Sequence, residues 1–290
     1  MIKILIKNPK RFIRLRKVFL IGRIFSFHTP SLKDIKDDSL YADIIAKLRY
    51  GDATGKDTRV GRFDDLDKVL DLLPDQGLLV HDVGCSSGVT SLDLMRMLNL
   101  KNKKYTLTIS DRFLELFVFG EGVKYLYDSD ENLRQIYFGR VLCDGQLSRV
   151  FFLSRVLFRV LSKVSRRDVQ SKIVKNISLL DPKVQRCINS GELNAKSYNI
   201  FNRDDDNRYD FVRCMNLLNR SYFSDDQIKI GVANLIEATK HKGYLQIGRT
   251  DIHGVNKVSV FQKEKRELSL VLQFNGGAEI EDLVERKFLV

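Results

Sequence analysis

Two acids and a cluster of small residues carry the chemistry-bearing pattern of this chain. The cluster reads Asp82-Val83-Gly84-Cys85-Ser86-Ser87-Gly88, and the second acid, Asp111, stands 23 residues beyond Gly88. Small residues let a backbone approach a ligand closely. A carboxylate near the later position can accept both hydroxyls of a ribose, as in several nucleoside-binding α/β folds. A dinucleotide site needs glycines at G-x-G-x-x-G, so that a pyrophosphate sits on a helix N-terminus. Counted from Gly84, the second and third of those positions hold Ser86 and Val89, and both miss. Asp82 would also repel a pyrophosphate, whereas it suits a ligand that carries an ammonium group.

The flanking pattern supplies the elements that must position these residues. An apolar run predicts a strand over 78–83, and Leu92, Leu94, Met95, Met97 and Leu98 predict a helix over 88–99. Tyr105–Ser110 alternates like a strand and ends at Asp111. Ala195–Phe201 and Tyr209–Asn219 read as further strands, and Lys242–Arg249 as a turn glycine followed by a strand. Ser224 with Gln227 three residues on forms a capping box for a helix reaching about Thr239. Segments 257–262 and 267–274 alternate around Lys263-Glu264-Lys265-Arg266 as an antiparallel hairpin.

Asp82-Val83-Gly84-Cys85-Ser86-Ser87-Gly88 resembles motif I of the class I S-adenosylmethionine-dependent methyltransferases, with Ser86 where the family usually has glycine. Asp111, the 209–219 segment and the 242–249 segment follow in the family's order. The resemblance spans about residues 75–275, while residues 112–195 match no core motif of it. It implies an α/β fold: a Rossmann-like, seven-stranded, mostly parallel sheet with an antiparallel last strand. To this the chain adds N-terminal helices and an inserted helical/β subdomain. The cofactor implied is S-adenosyl-L-methionine, held by Asp82, Gly84, Cys85, Ser86, Gly88, Asp111 with its neighbour Arg112, and Asn216. In the family an acid near the third strand binds the adenine amine; this chain offers Asn199 or Asn202, or the run 204–206. Arg213-Cys214-Met215-Asn216 is also similar to the C-x-N pattern of the bacterial chemotaxis protein-glutamate methyltransferases.

Methyl transfer from a sulfonium proceeds largely by positioning and desolvation, and a base is needed only where the nucleophile must lose a proton early. The catalytic candidates are Asn216, after the fourth strand, and Arg249 and His253, after the fifth. Arg249 suits an anionic substrate group; a lone loop histidine such as His253 is more often plain surface. Tyr222 and Phe223 either wall an apolar substrate or staple the following helix.

The 290 residues suffice for one large domain with an appended or inserted subdomain. The expected divisions are a basic helical N-terminal extension over 1–62, a core over 63–111 and 177–290, and an inserted lid or substrate subdomain over 112–176. Four cysteines form no C-x-x-C pair and four histidines no H-x-x-x-H pair, so no metal site is expected. The same cysteine usage fits a reducing, cytoplasmic compartment. The formal charge is +12, and Met1–Lys33 holds nine basic residues and no acid. That segment reads as a basic helix packed on the domain, a targeting segment, or a peripheral contact with an anionic membrane through residues 1–30. Within the insert, aromatic residues cluster at 113–127 and a basic, apolar helix is predicted over Ser148–Val164. That helix reads as buried, as a lid over an apolar substrate, or as membrane-facing.

Three functions are compatible with this pattern. One is methyl transfer to a small apolar or aromatic acceptor. Another is methylation of nucleic acid, which the charge favours and which lacks an Asn-Pro-Pro-Tyr motif. The third is a catalytically silent, methyltransferase-like binding module.

Overall fold

A computed structural model describes residues 58–120, 123–138, 141–144, 173–203, 207–265 and 267–284, with isolated positions between 156 and 162. The expected N-terminal helices, the basic segment 1–30 and most of the helix expected over 148–164 lie outside the described residues. The described positions of that last segment, 156, 158–160 and 162, are helical. The chain divides into two compact units, of which one contains Thr58–Arg112 and Lys183–Val290 and the other contains Phe113–Pro182.

The first unit is built on a seven-stranded sheet. Its strands are β1 (Leu78–Val83), β2 (Tyr105–Asp111), β8 (Asn194–Ser197), β9 (Tyr209–Met215), β10 (Thr239–Thr250), β11 (Asn256–Lys263) and β12 (Leu268–Phe274). Their order across the sheet is β12-β11-β10-β9-β1-β2-β8. The run β8-β2-β1-β9-β10 is parallel, and the expected hairpin closes it. β11 is antiparallel to β10, and the last strand, β12, is antiparallel to β11. The sheet is thus the Rossmann-like, mostly parallel one expected. Leu78, Val80 and Val83 of β1 are all buried, as befits a central parallel strand covered on both faces.

Helix α1 (Val89–Leu100) links β1 to β2, and helix α3 (Asp225–Ala238) links β9 to β10. The chain steps outward from β1 in one direction, then restarts at β9 on the other side. The gap between β1 and β9 is therefore the topological switch point, where open α/β sheets bind ligands beyond the strand C-termini. Ser224 caps α3 as expected: its Oγ accepts from the Gln227 N–H, and the Gln227 side chain accepts from the Ser224 N–H. The helix lays Ile228, Val232, Leu235 and Ile236 into one cluster with Val212, Cys214, Leu245 and Ile247. Burying an aliphatic side chain of this size contributes roughly 1.5–3 kcal/mol, so this cluster fixes how β9 and β10 present their ends.

A 3₁₀ helix, Asp64–Leu72, precedes β1. Two details depart from the sequence reading. The third strand is only four residues long and closes with the bond from the Tyr198 N–H to the Asp111 carbonyl. Gly243 lies inside β10 at a register shift instead of before it; a Cβ there would meet three backbone carbonyl oxygens at 2.8–3.0 Å.

The second unit holds a five-stranded antiparallel sheet in the order β6-β5-β4-β3-β7. Its strands are β3 (Glu115–Phe119), β4 (Val123–Tyr127), β5 (Leu133–Phe138), β6 (Val141–Asp144) and β7 (Ile173–Ser178). β3 pairs with β4, with Phe117 opposite Tyr127 and Phe119 opposite Tyr125. Phe113, Leu116, Val118, Leu126, Ile177 and Leu179 form its core. Helix α2 (Pro182–Asn189), opened by a proline, leads the chain back into the first unit.

Candidate functional site

The turn after β1 is held in left-handed backbone at three alternate residues: Gly84 (φ 75°), Ser86 (φ 60°) and Gly88 (φ 81°). Glycine enters this region without steric cost, and other L-residues give up about 1–2 kcal/mol. That is the physical reason a glycine would suit position 86, and the protein supplies compensation. The Ser86 N–H donates to Asp111 Oδ2 at 2.9 Å, while the N–H groups of Gly84 and Cys85 both reach the Ser110 carbonyl. Packing also requires the two glycines. A Cβ on Gly84 would stand 2.9 Å from Leu217 Cδ2, and one on Gly88 would stand 2.8 Å from both Val184 methyls.

Asp82 and Arg213 are register partners on β1 and β9, so their side chains leave the same face of the sheet. The Arg213 Nε donates to Asp82 Oδ1 at 2.9 Å and its Nη2 to Oδ2 at 2.7 Å. Ser91 Oγ in the first turn of α1 donates to Oδ2 at 2.5 Å. Asp82 is 3% exposed and Arg213 2%. Nη2 also donates to the Thr90 carbonyl, and the guanidinium sits 5.5 Å from the centre of the Phe63 ring. Asp82, expected from the sequence to meet a ligand ammonium, is therefore engaged by a cation of the protein itself.

Asp111 is placed differently. It ends β2 half-buried, beside the turn, with its backbone carbonyl held by the Tyr198 N–H. The neighbouring Arg112 carbonyl accepts from Ser197 Oγ at 2.9 Å. A carboxylate can accept about four hydrogen bonds, so the bond from Ser86 orients Asp111 without exhausting it. Asn199 lies beyond β8, where its Oδ1 accepts from the Phe201 N–H and its carbonyl from the Asn202 N–H. Both bonds are local turn geometry.

Asn216, at φ 59°, locks the ends of β9 and β10 together. Its Oδ1 accepts from the Thr250 N–H at 2.7 Å, and its own N–H reaches the Gly248 carbonyl. Thr250 Oγ1 donates to Asn256 Oδ1 and accepts from Arg62 Nε, while Asn256 Nδ2 donates to the Arg62 carbonyl and to Asp65. The other two catalytic candidates are turned elsewhere. Arg249 Nη1 pairs with Glu279 at 2.6 Å. His253 is exposed, in a loop nucleated by Asp251, whose Oδ1 accepts from the His253 and Val255 N–H groups. Those backbone bonds, led by the one from Val255, hold the Asp251 carboxyl below its ordinary range. Cys85 and Cys214 are buried, and burial pushes the Cys214 thiol up to about 12, so it is no thiolate nucleophile at neutral pH.

The structure thus brings Gly84, Cys85, Ser86, Gly88 and Asp111 together at one rim, with Asn216 across the switch point from them. It does not bring Arg249 or His253 into that group. Sequence reading missed the pairing of Arg213 and Ser91 with Asp82, while the glycine-bearing loop 50–63 is read from sequence as one that could reach over the cofactor. Thr58 Oγ1 bonds Ser87 Oγ at 2.5 Å, and the Gly61 N–H donates to Asp93. One signal was available: a charged residue inside the apolar Phe211-Val212-Arg213-Cys214-Met215 run must find a counter-ion when buried. Among the described residues no group of three or more His, Cys, Asp or Glu side chains could hold a metal ion.

No family model matches the chain, and no curated protein sequence matches it. Similar solved structures do exist. A putative protein-L-isoaspartate O-methyltransferase from Plasmodium falciparum, in complex with S-adenosylhomocysteine, is 11% identical. That match covers 85% of this chain and 92% of the other, with a TM-score of 0.36. A SAM-dependent methyltransferase from Methanosarcina mazei is 14% identical over 62% of this chain and 56% of its own, with a TM-score of 0.31. The [4+2]-cyclase SpnF is 13% identical over 64% of this chain and 44% of its own, with a TM-score of 0.30. The chain spans about half the length of these last two. Many of the similar structures are methyltransferases. The fold assignment rests on strand order and register: this is a Rossmann-like, mostly parallel seven-stranded sheet.

Proposed function

We propose that this chain binds S-adenosyl-L-methionine at the C-terminal rim of β1 and β2 and transfers its methyl group to a small apolar or aromatic acceptor. The observation that carries the reading is Asp111, fixed by the Ser86 N–H beside a left-handed turn next to the switch point. In this reading Asp111 accepts the ribose hydroxyls and the 84–88 backbone lies along the adenosyl chain. The nucleoside end of the cofactor fits these residues. The ammonium end lacks the partner expected for it, because Asp82 is engaged by Arg213. When bound, the cofactor supplies an electrophilic methyl on a sulfonium. The chain's own contribution is then to hold the two reactants in line and exclude water. Asn216 belongs to this machinery as a brace, since its amide ties β9 to β10. The aromatic-rich run at 113–127 of the sequence favours an apolar or aromatic acceptor.

Asp82 and Asn216 are both consumed by internal bonds, which favours a second reading, a binding module without catalysis. Calorimetry with S-adenosylhomocysteine, followed by a labelled-methyl transfer assay on apolar and aromatic acceptors, separates the two. Binding with transfer is expected. Binding without transfer to any acceptor class favours the module, and no binding overturns both. Nucleic acid as the acceptor predicts transfer to RNA or DNA, with binding that weakens steeply with salt. Among the described residues no helix is long and apolar enough to cross a membrane. Peripheral contact through residues 1–30 predicts binding to anionic vesicles that is lost when those residues are deleted.

A further inference from the structure

Resting on that reading, a consequence for ligand choice follows from the buried ion pair. We propose that Arg213 occupies, inside the protein, the cation position that a ligand ammonium would take on Asp82, so that the rim recognises adenosine thioethers by their nucleoside end and is indifferent to an α-ammonium.

Three observations combine. First, Asp82 is saturated in the relevant directions: Arg213 grips both oxygens as a fork and Ser91 adds a third donor. A fork of this kind is stronger and more directional than contact with a point charge, so an ammonium would have to displace a better partner. Second, the pair is closed from outside. Phe63 stacks on the guanidinium, and the segment leading into it is pinned by Gly61 to Asp93 and by Arg62 to Thr250. Third, other carboxylates of the same unit are committed. Asp93 takes the Gly61 N–H and is buried, Asp65 takes Asn256, and Asp251 holds its own loop and pairs with Lys257 at 3.7 Å. Asp111 takes the Ser86 N–H, half-buried and beside the turn.

The test uses the full chain and two ligands that differ by one group. One is S-adenosylhomocysteine; the other is 5′-S-(3-carboxypropyl)-5′-thioadenosine, the same molecule with hydrogen in place of the α-ammonium. Calorimetric Kd values for the two are expected to agree within about threefold. A loss of about tenfold or more on removing the ammonium, equivalent to 1.4 kcal/mol, overturns the proposal. Arg213→Met uncovers the Asp82 carboxylate and is expected to create a preference of about tenfold for the ammonium-bearing ligand; an unchanged ratio contradicts the proposal. Should that variant fail to fold, Asp82→Asn gives the second readout. The proposal expects Asp82→Asn to change both affinities by the same factor, and a selective loss of S-adenosylhomocysteine counts against it. Failure of both compounds to bind the native chain overturns the methyltransferase reading itself, an outcome distinct from a strong ammonium preference.

Discussion

Two aspartates stand at the ends of neighbouring parallel strands on one sheet face, and their surroundings give them opposite roles. Asp82 of β1 is buried, gripped by a guanidinium and a hydroxyl, and roofed by an aromatic ring. Asp111 of β2 is half-buried and takes a backbone N–H from the turn that a ligand would touch. Residue type and spacing were equally suggestive for both. What differs is the strand next door: β1 has β9 with Arg213 at the matching register, whereas β2 has the short β8, which stops at Ser197. A motif acid becomes framework or site according to its lateral neighbour, and that neighbour is set by topology across a sequence separation of 131.

The contrast can be broken most sharply at the ion pair. Arg213→Met should cost about 3–5 kcal/mol of stability, because it strands a buried carboxylate, and urea unfolding reads this directly. Replacing both partners, Asp82→Leu with Arg213→Met, should recover most of that loss, since apolar replacements of buried pairs are often close to neutral. A double variant as unstable as the single one would show that the pair has a further structural role.

The turn glycines come next. Gly88→Ala should destabilise by about 2 kcal/mol and Gly84→Ala by less, with both residues at positive φ. The difference arises because the new Cβ at 88 meets both methyls of a buried, β-branched Val184, whereas at 84 it meets the Cδ2 and Cβ of a half-buried, unbranched-at-Cβ Leu217 that has more room to shift. Thermal unfolding ranks the two, and the reverse order would contradict the packing account.

Asp111→Asn sharpens the comparison from the other side. Its stability should fall by only about 1 kcal/mol, the scale of one hydrogen bond, while affinity for S-adenosylhomocysteine falls about tenfold or more. Ser224→Ala, remote from the rim, should cost about 1 kcal/mol through loss of the helix cap and leave ligand affinity unchanged.

The smallest effect concerns pH. The Asp251 carboxyl is held below its ordinary range by backbone bonds from Val255 and His253. A depressed folded-state value means that the loop's contribution is complete above the ordinary carboxylate range and is lost as pH falls through the depressed value. Protection of the His253 and Val255 amides, measured relative to intrinsic exchange, should therefore fall only in acid, and a loss of protection near neutrality would contradict this account.

Much of the fold was legible because its signals are local. The 78–83 strand, the Ser224 capping box and the 257–274 hairpin all depend on neighbours within a few residues, and all three are present. Asp111 was legible for the same reason, as an acid closing an alternating segment. The 3₁₀ character of 64–72 and the short β8 were not, because each is decided by what packs or hydrogen-bonds from a distance. The pairing of Arg213 with Asp82, and the diversion of Arg249 to Glu279, are likewise lateral events. Periodicity reports which face a residue occupies, but not which strand lies beside it.

The account depends most on the adenosyl ligand meeting Asp111 at the rim of β1 and β2. Titration of S-adenosylhomocysteine into the native chain and into Asp111→Asn, at equal concentration and salt, tests it directly. Saturable one-to-one binding by the native chain, weakened about tenfold or more in a variant that unfolds at nearly the native temperature, is the predicted result. No binding by the native chain, or equal binding by both, contradicts it.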